Sequence, residues 1–159
     1  MQARFNAYQA APQGYQAMLG LQSYVDSCGL DHALLELVKT RASQMNGCAY
    51  CIDMHTKDAR ALGESEHRLY LLNAWRESPD YTERERAALE WTEAVTNVAD
   101  GHVPDDVYDR VKRQFSQQEI VNLTLAIIAI NGWNRLSIAF RAVPGAYQSK
   151  YSQSKAPAS

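Results

Sequence analysis

The segment Cys48-Ala49-Tyr50-Cys51-Ile52-Asp53-Met54-His55 holds the residue types and spacings that could do chemistry. On a helix advancing about 100° per residue, positions three and four apart share a face, so Cys48, Cys51 and His55 fall within a sector of about 60°. Ile52, Ala59 and Leu62 lie on the same side, while Asp53, Lys57 and Arg60 point away. The two thiols and the imidazole are therefore expected on the core-facing side, or in a pocket within it. The thiolate is the reactive form of cysteine. At a helix start, free backbone N–H groups and the helix dipole favour an anion at Cys48. One turn beyond Cys51, His55 is placed to take the Cys51 proton. Peroxide turns a thiolate into a sulfenic acid, and a neighbouring thiol condenses with it to a disulfide. This spacing assigns attack to Cys51 and resolution to Cys48, with Cys48 the more accessible to a dithiol reductant. Thioredoxin logic, in which the N-terminal cysteine of the pair is activated, gives the reverse order.

The elements that must hold this segment read as about seven helices, delimited by glycines, prolines and caps. The first is expected over 15–28 and the second from an N-cap at Asp31 to Asn46. The third covers Cys48 to Leu62, and the fourth Ser65 to about Arg76. Thr82 and Glu85 form a capping-box pattern that opens the fifth, which runs to about Asp100. The sixth spans 105–114. The seventh starts with a second such box, Ser116 and Glu119, and runs to about Arg141. No segment alternates at period two for long, so the fold class is all-α. Residues 1–14 read as an N-terminal extension, 15–145 as one helical domain and 146–159 as a disordered tail rich in Ser, Lys and Ala. In the last helix, Leu123 to Ile130 leave little polar face. Such a helix is buried on all sides, which implies a central position and a subunit interface together.

Composition narrows the classes. The chain has 159 residues, 46% apolar and 21% charged, with a net charge of -2. That is one domain with a real core. No basic stripe is present, which argues against nucleic acid as a main partner. The N-terminal residues lack the apolar core of a signal peptide, and the longest apolar run, about 120–130, is shorter than a bilayer span. Cytoplasmic location and no membrane contact are the expectation. Three cysteines with one close pair fit a reducing compartment, where such a pair is catalytic or metal-binding. A structural zinc site needs four ligands, and this segment supplies three crowded on one helix. No metal or other cofactor is therefore expected.

Other chemistry-bearing residues have plainer readings. His32, His67 and His102 sit in polar surroundings and read as solvated, and Cys28 beside Gly29 reads as a structural thiol. Trp75 and Trp91 read as core or interface anchors. Asn131, Asn134 and Arg135 lie on the apolar last helix and need hydrogen-bond partners there.

Glu36, twelve residues before Cys48, followed by Cys48-x-x-Cys51-x-x-x-His55, resembles the alkyl hydroperoxidase D-like core of the carboxymuconolactone decarboxylase family. The run Met45 to His55 and the stretch Asn131-Gly132-Trp133-Asn134-Arg135 are similar to its single-domain members, and the likeness covers about residues 15–145. The resemblance implies a compact multi-helix fold, assembled as trimers or hexamers. It implies a peroxidase that reduces alkyl hydroperoxides with electrons from a dithiol, often a lipoyl-carrying protein. It also implies a proton relay joining a glutamate, here Glu36, to His55 and the cysteines. Tyr50 stands where the best-known hydroperoxidases have a second histidine. A phenol can bridge a proton but titrates near 10, so a thinner relay is expected. Periodicity alone places Glu36 nearly opposite the apolar face formed by Leu34, Leu35, Val38, Ala42 and Met45, so if it serves the relay that the resemblance implies, another helix or subunit must cover it. The same scaffold could instead serve as a thiol–disulfide oxidoreductase or redox sensor, or as a non-enzymatic oligomeric binding protein. A lactone decarboxylase is disfavoured, because that branch of the family does not depend on a cysteine pair.

Overall fold

A computed structural model describes residues 2–152. Its regular structure, among those residues, is nine α-helices and one 3₁₀ turn: α1 (Ala7–Ala10), α2 (Pro12–Ser27), α3 (His32–Asn46), α4 (Ala49–Ala61), α5 (Glu66–Leu71), the 3₁₀ turn Leu72–Ala74, α6 (Glu83–Thr96), α7 (Val98–Gly101), α8 (Asp105–Gln114) and α9 (Gln117–Phe140). The seven expected helices are all present, and the four-residue α1 and α7 are additional. Caps explain most boundaries. Asp31, Cys48, Ser65, Thr82 and Ser116 each accept a backbone N–H of their helix's first turn. Both expected capping boxes close. Three boundaries differ from the reading of the sequence. Pro12, whose missing N–H costs nothing at a helix start, begins α2 three residues before Tyr15. The fourth helix tightens into the 3₁₀ turn before Trp75. The fifth breaks at Asn97, whose backbone leaves the helical region.

α9 is the centre of the bundle, flanked by α2, α3, α4, α6 and α8. Its Leu123, Ala126 and Ile127 are fully buried and meet Leu35 and Val38 of α3, Ala88 and Trp91 of α6, and Val111 of α8. Truncating such a leucine would cost roughly 2–5 kcal/mol. By length and composition this 24-residue helix could cross a membrane, although the apolar run read from its sequence is shorter. Buried Asn122 and Asn134 are satisfied within the bundle, by Tyr24 and Cys28 O and by Asn46 and Ser43. The chain itself leaves one strip uncovered, where Val121 and Ile128 are 58% and 50% exposed.

Two segments expected to lie outside the domain pack onto it. The N-terminal residues are partly helical, and the Arg4 N–H donates to Phe140 O at 3.1 Å. Residues 146–152, expected to be disordered, fold back across α4 and α2. Lys57 of α4 donates to the carbonyls of Gly145 and Tyr147, and Lys150 reaches Asp26 of α2. Composition hid this because the anchors are single polar contacts without a periodic pattern. The remainder of that expected tail, 153–159, lies outside the described residues.

Candidate active site

Gly47 sets up the site. It takes the left-handed conformation, φ +68°, that ends α3 and lets the chain turn at once into α4. The Cys48 N–H donates to Ser43 O at 3.0 Å, and Cys48 becomes the N-cap of α4, its Sγ accepting the Cys51 N–H at 3.4 Å. The two sulfurs are joined as a disulfide across a Cα–Cα distance of 5.4 Å, within the span a disulfide requires. Both cysteines are 1% exposed and pack against Ala42 and Ile130, with Tyr50 and Trp133 alongside. Cys48 is therefore not the more accessible sulfur. Its capping position turns it inward, and Cys51 instead reaches the wall of a cavity of about 730 Å³.

His55, one turn on, lines the same cavity and is buried. Its Nδ1 lies 2.7 Å from Glu36 Oε2. Glu36 is 1% exposed, covered on the side that the helix wheel turned away from the apolar face. The cover comes from the same chain, because α4 lies across that side of α3. Lys39, one turn along α3, donates to Glu36 Oε1 at 3.0 Å and sits 3.6 Å from Asp26 of α2. Burial pushes the Glu36 carboxyl up, but the hydrogen bond and charge of His55, then Lys39, outweigh it and hold the group below its usual range. Burial likewise opposes ionisation of Asp26, and Lys39, Lys150 and Gln22 more than offset it. A proton on Nδ1 donated to ionised Glu36 leaves the lone pair on Nε2.

Besides Asp26, sequence reading missed three members of this group. Lys39 and buried Asp58 stand at i+3 of Glu36 and of His55, a spacing that could have flagged them. Tyr147, far along the chain, carried no such signal. Its phenol donates to Asp58 at 2.9 Å, and burial, then Asp58, pushes its titration up to about 12, so it remains a neutral donor. Glu36, His55 and Asp58 each present a ligand atom within 4.8 Å of the others. A cation there would compete with the Lys39 ammonium on Glu36 and the Tyr147 phenol on Asp58. Tyr50 is half-buried and lines the cavity. His32, His67 and His102 are exposed as expected, and Cys28 is a free, half-buried thiol.

Asn131, Asn134 and Arg135 form a network behind the site. Asn46 Nδ2 donates to Asn131 Oδ1 and Asn134 Oδ1, each at 2.9 Å, and Asn134 Nδ2 donates to Ser43 Oγ at 3.0 Å. Arg135 donates back to Asn131. These bonds tie α9 to the last turn of α3, immediately before Cys48.

Residues 12–94 match the carboxymuconolactone decarboxylase family. The chain is 45% identical over 139 residues to the uncharacterized protein YdfG of Bacillus subtilis (strain 168), covering 87% of this chain and 95% of that one. A crystal structure of an Agrobacterium tumefaciens protein of unknown function, described as a candidate antioxidant defence protein AhpD, superposes with a TM-score of 0.89 at 46% identity, over 92% of this chain and all (100%) of the other. A peroxidase-related protein with an alkylhydroperoxidase AhpD core, from Ralstonia eutropha JMP134, shares the fold at a TM-score of 0.75 and 16% identity, over 91% of this chain and 76% of that one. The chain belongs to the carboxymuconolactone decarboxylase family and has the AhpD-like all-α fold.

Proposed function

We propose that this protein is a thiol-dependent peroxidase that reduces alkyl hydroperoxides through a Cys48–Cys51 disulfide cycle. One observation carries the reading: Cys51 stands at a cavity wall, bonded to Cys48, with the His55–Glu36 pair lining the same cavity. The AhpD description of the Agrobacterium relative supports the same class. Starting from the reduced pair, His55 takes the Cys51 proton. The thiolate electron pair bonds to one peroxide oxygen, the O–O bond breaks, and the departing alkoxide takes up a proton and leaves as the alcohol. The Cys51 sulfenic acid then condenses with the Cys48 thiol, releasing water. An external dithiol restores both thiols and leaves as its own disulfide. Glu36 holds the imidazole by its Nδ1. Tyr50 borders the approach to Cys51.

Burial of both sulfurs favours a reductant on a slender arm, such as a lipoyl group, over a folded protein's disulfide. That disfavours the general thiol–disulfide oxidoreductase reading. A reducing compartment such as the cytoplasm would keep the pair ready. The exposed apolar strip of α9 supports self-association, and the trimer or hexamer expected of it rests on the family resemblance.

The test is peroxide consumption with excess dithiol, followed by mass spectrometry. Wild type is expected to turn over and, after one equivalent of peroxide, to lose two hydrogens across Cys48 and Cys51. Cys51→Ser should abolish turnover. Cys48→Ser should stop at a trappable sulfenic acid on Cys51. Full turnover in Cys51→Ser would refute the assignment of the attacker, and an inert wild type would refute the class.

A further inference from the structure

The cavity beside Cys51 has two chemically distinct ends. Its polar end holds Cys51, His55, Glu36, Lys39 and Asp58. The rest mixes aliphatic side chains such as Leu19, Met54 and Leu136 with a set of aromatic rings, and the rings come from both terminal segments as well as the bundle. Tyr8 and Tyr15 stand edge to face at 5.8 Å between centroids, and Tyr15 meets Trp133 at 5.7 Å. On another part of the wall Phe5 meets Phe140 at 4.9 Å. The Trp133 ring is held by its Nε1, which donates to Gln22 Oε1 at 3.2 Å. The cavity, at about 730 Å³, is in the size range that houses drug-sized ligands. Hydrogen peroxide, scarcely larger than a water of about 30 Å³, would leave nearly all of that lining uncovered.

We infer that this cavity selects organic hydroperoxides by an aromatic body, seated against the Tyr8–Tyr15–Trp133 and Phe5–Phe140 rings with its peroxide group toward Cys51. The inference rests on the peroxidase reading and adds its substrate class. Aromatic rings attract one another beyond simple burial when they meet edge to face or offset. Two such contacts are worth about tenfold in affinity over an aliphatic body of equal reach. The rings also explain the placement of the N-terminal segment. It brings Phe5 and Tyr8, 53% and 47% exposed, to the rim, where a ligand would cover them.

Two measurements on the full chain test this. The first compares kcat/KM for cumene hydroperoxide, tert-butyl hydroperoxide and hydrogen peroxide, with dithiothreitol as reductant. The second measures binding of unreactive alcohols, 2-phenyl-2-propanol against tert-butanol, to the oxidised protein by calorimetry. Cumene hydroperoxide is expected to exceed tert-butyl hydroperoxide by about tenfold or more in kcat/KM, and the aryl alcohol to bind about tenfold tighter. Phe5→Ala and Tyr8→Ala, both at the rim, should each lower the aryl-to-alkyl ratio several-fold. Trp133→Ala should lower it further, with circular dichroism checking its fold. Equal rates for the three peroxides, or equal binding of the two alcohols, would overturn the inference and leave the peroxidase reading standing. Aryl-selective binding with no turnover of any peroxide would uphold the cavity's selectivity and sink the peroxidase reading.

Discussion

Under the proposed function, Glu36 is the residue on which the chemistry of His55 turns. Its carboxylate is buried, receives Lys39, and fixes the imidazole through Nδ1. Glu36→Gln keeps a hydrogen-bonding shape but removes the carboxylate charge beside the imidazole. Turnover is expected to fall by about 10²–10⁴-fold, the usual worth of positioned acid–base catalysis, as read from initial rates at saturating dithiol. The same residue links stability to pH. A carboxyl held below its usual range in the fold contributes stability that is present above its unfolded value, about 4.3. That stability is lost as pH falls through the lower, folded value. Urea midpoints measured from pH 7 to pH 3 should therefore fall on the acid side in wild type and fall less steeply in Glu36→Gln. Asp26 and Glu93, whose carboxyls are depressed as well, keep the variant's profile from becoming flat. Identical acid profiles in the two proteins would contradict the placement of ionised Glu36 in this network.

At the scale of elements, the joint between α3 and α4 decides where the sulfurs stand. Gly47 turns the chain in the left-handed region, and Asn46 on one side of it bonds to α9 while Cys48 on the other caps α4. A Cβ at Gly47 would meet nothing within 4 Å, so the cost of Gly47→Ala is conformational, about 1–2 kcal/mol. Asn134→Ala removes the donor to Ser43 and an acceptor for Asn46 from a fully buried site, with an expected loss of about 1–3 kcal/mol. Chemical denaturation would measure both. Because the joint carries Cys48, each variant should also slow disulfide formation after one equivalent of peroxide. Losses in stability with unchanged oxidation rates would separate this joint from the chemistry.

For the whole molecule, the relevant surface is the uncovered side of α9. Val121, half-buried Leu125 and Ile128 follow the i, i+4, i+7 pattern of one helix face, and two of them are at least half exposed. A helix that is central to the bundle yet apolar on its outer strip fits self-association, with copies of the chain meeting there. Sedimentation of the wild type should give an assembly, and Ile128→Lys should shift it toward the monomer while the helical circular dichroism signal is kept. A wild type that sediments as a monomer at all concentrations would remove α9 as an interface.

The sequence by itself determined the helices and the face that carries Cys48, Cys51 and His55. Caps, glycines and the i, i+3, i+4 spacing are local rules, and local rules located the seven main helices, put Cys48, Cys51 and His55 on one side of α4, and isolated Asn131 and Asn134 as polar residues needing partners. Only the tertiary structure decided which sulfur meets the cavity, why Glu36 is buried despite its place on the helix wheel, and that Asp26, Lys39, Asp58 and Tyr147 join it. It also decided that the terminal segments close over the site. The reason is physical. A side chain's burial is set by what the rest of the chain lays over it, and single polar or aromatic contacts between residues about a hundred positions apart leave no periodic trace along the sequence.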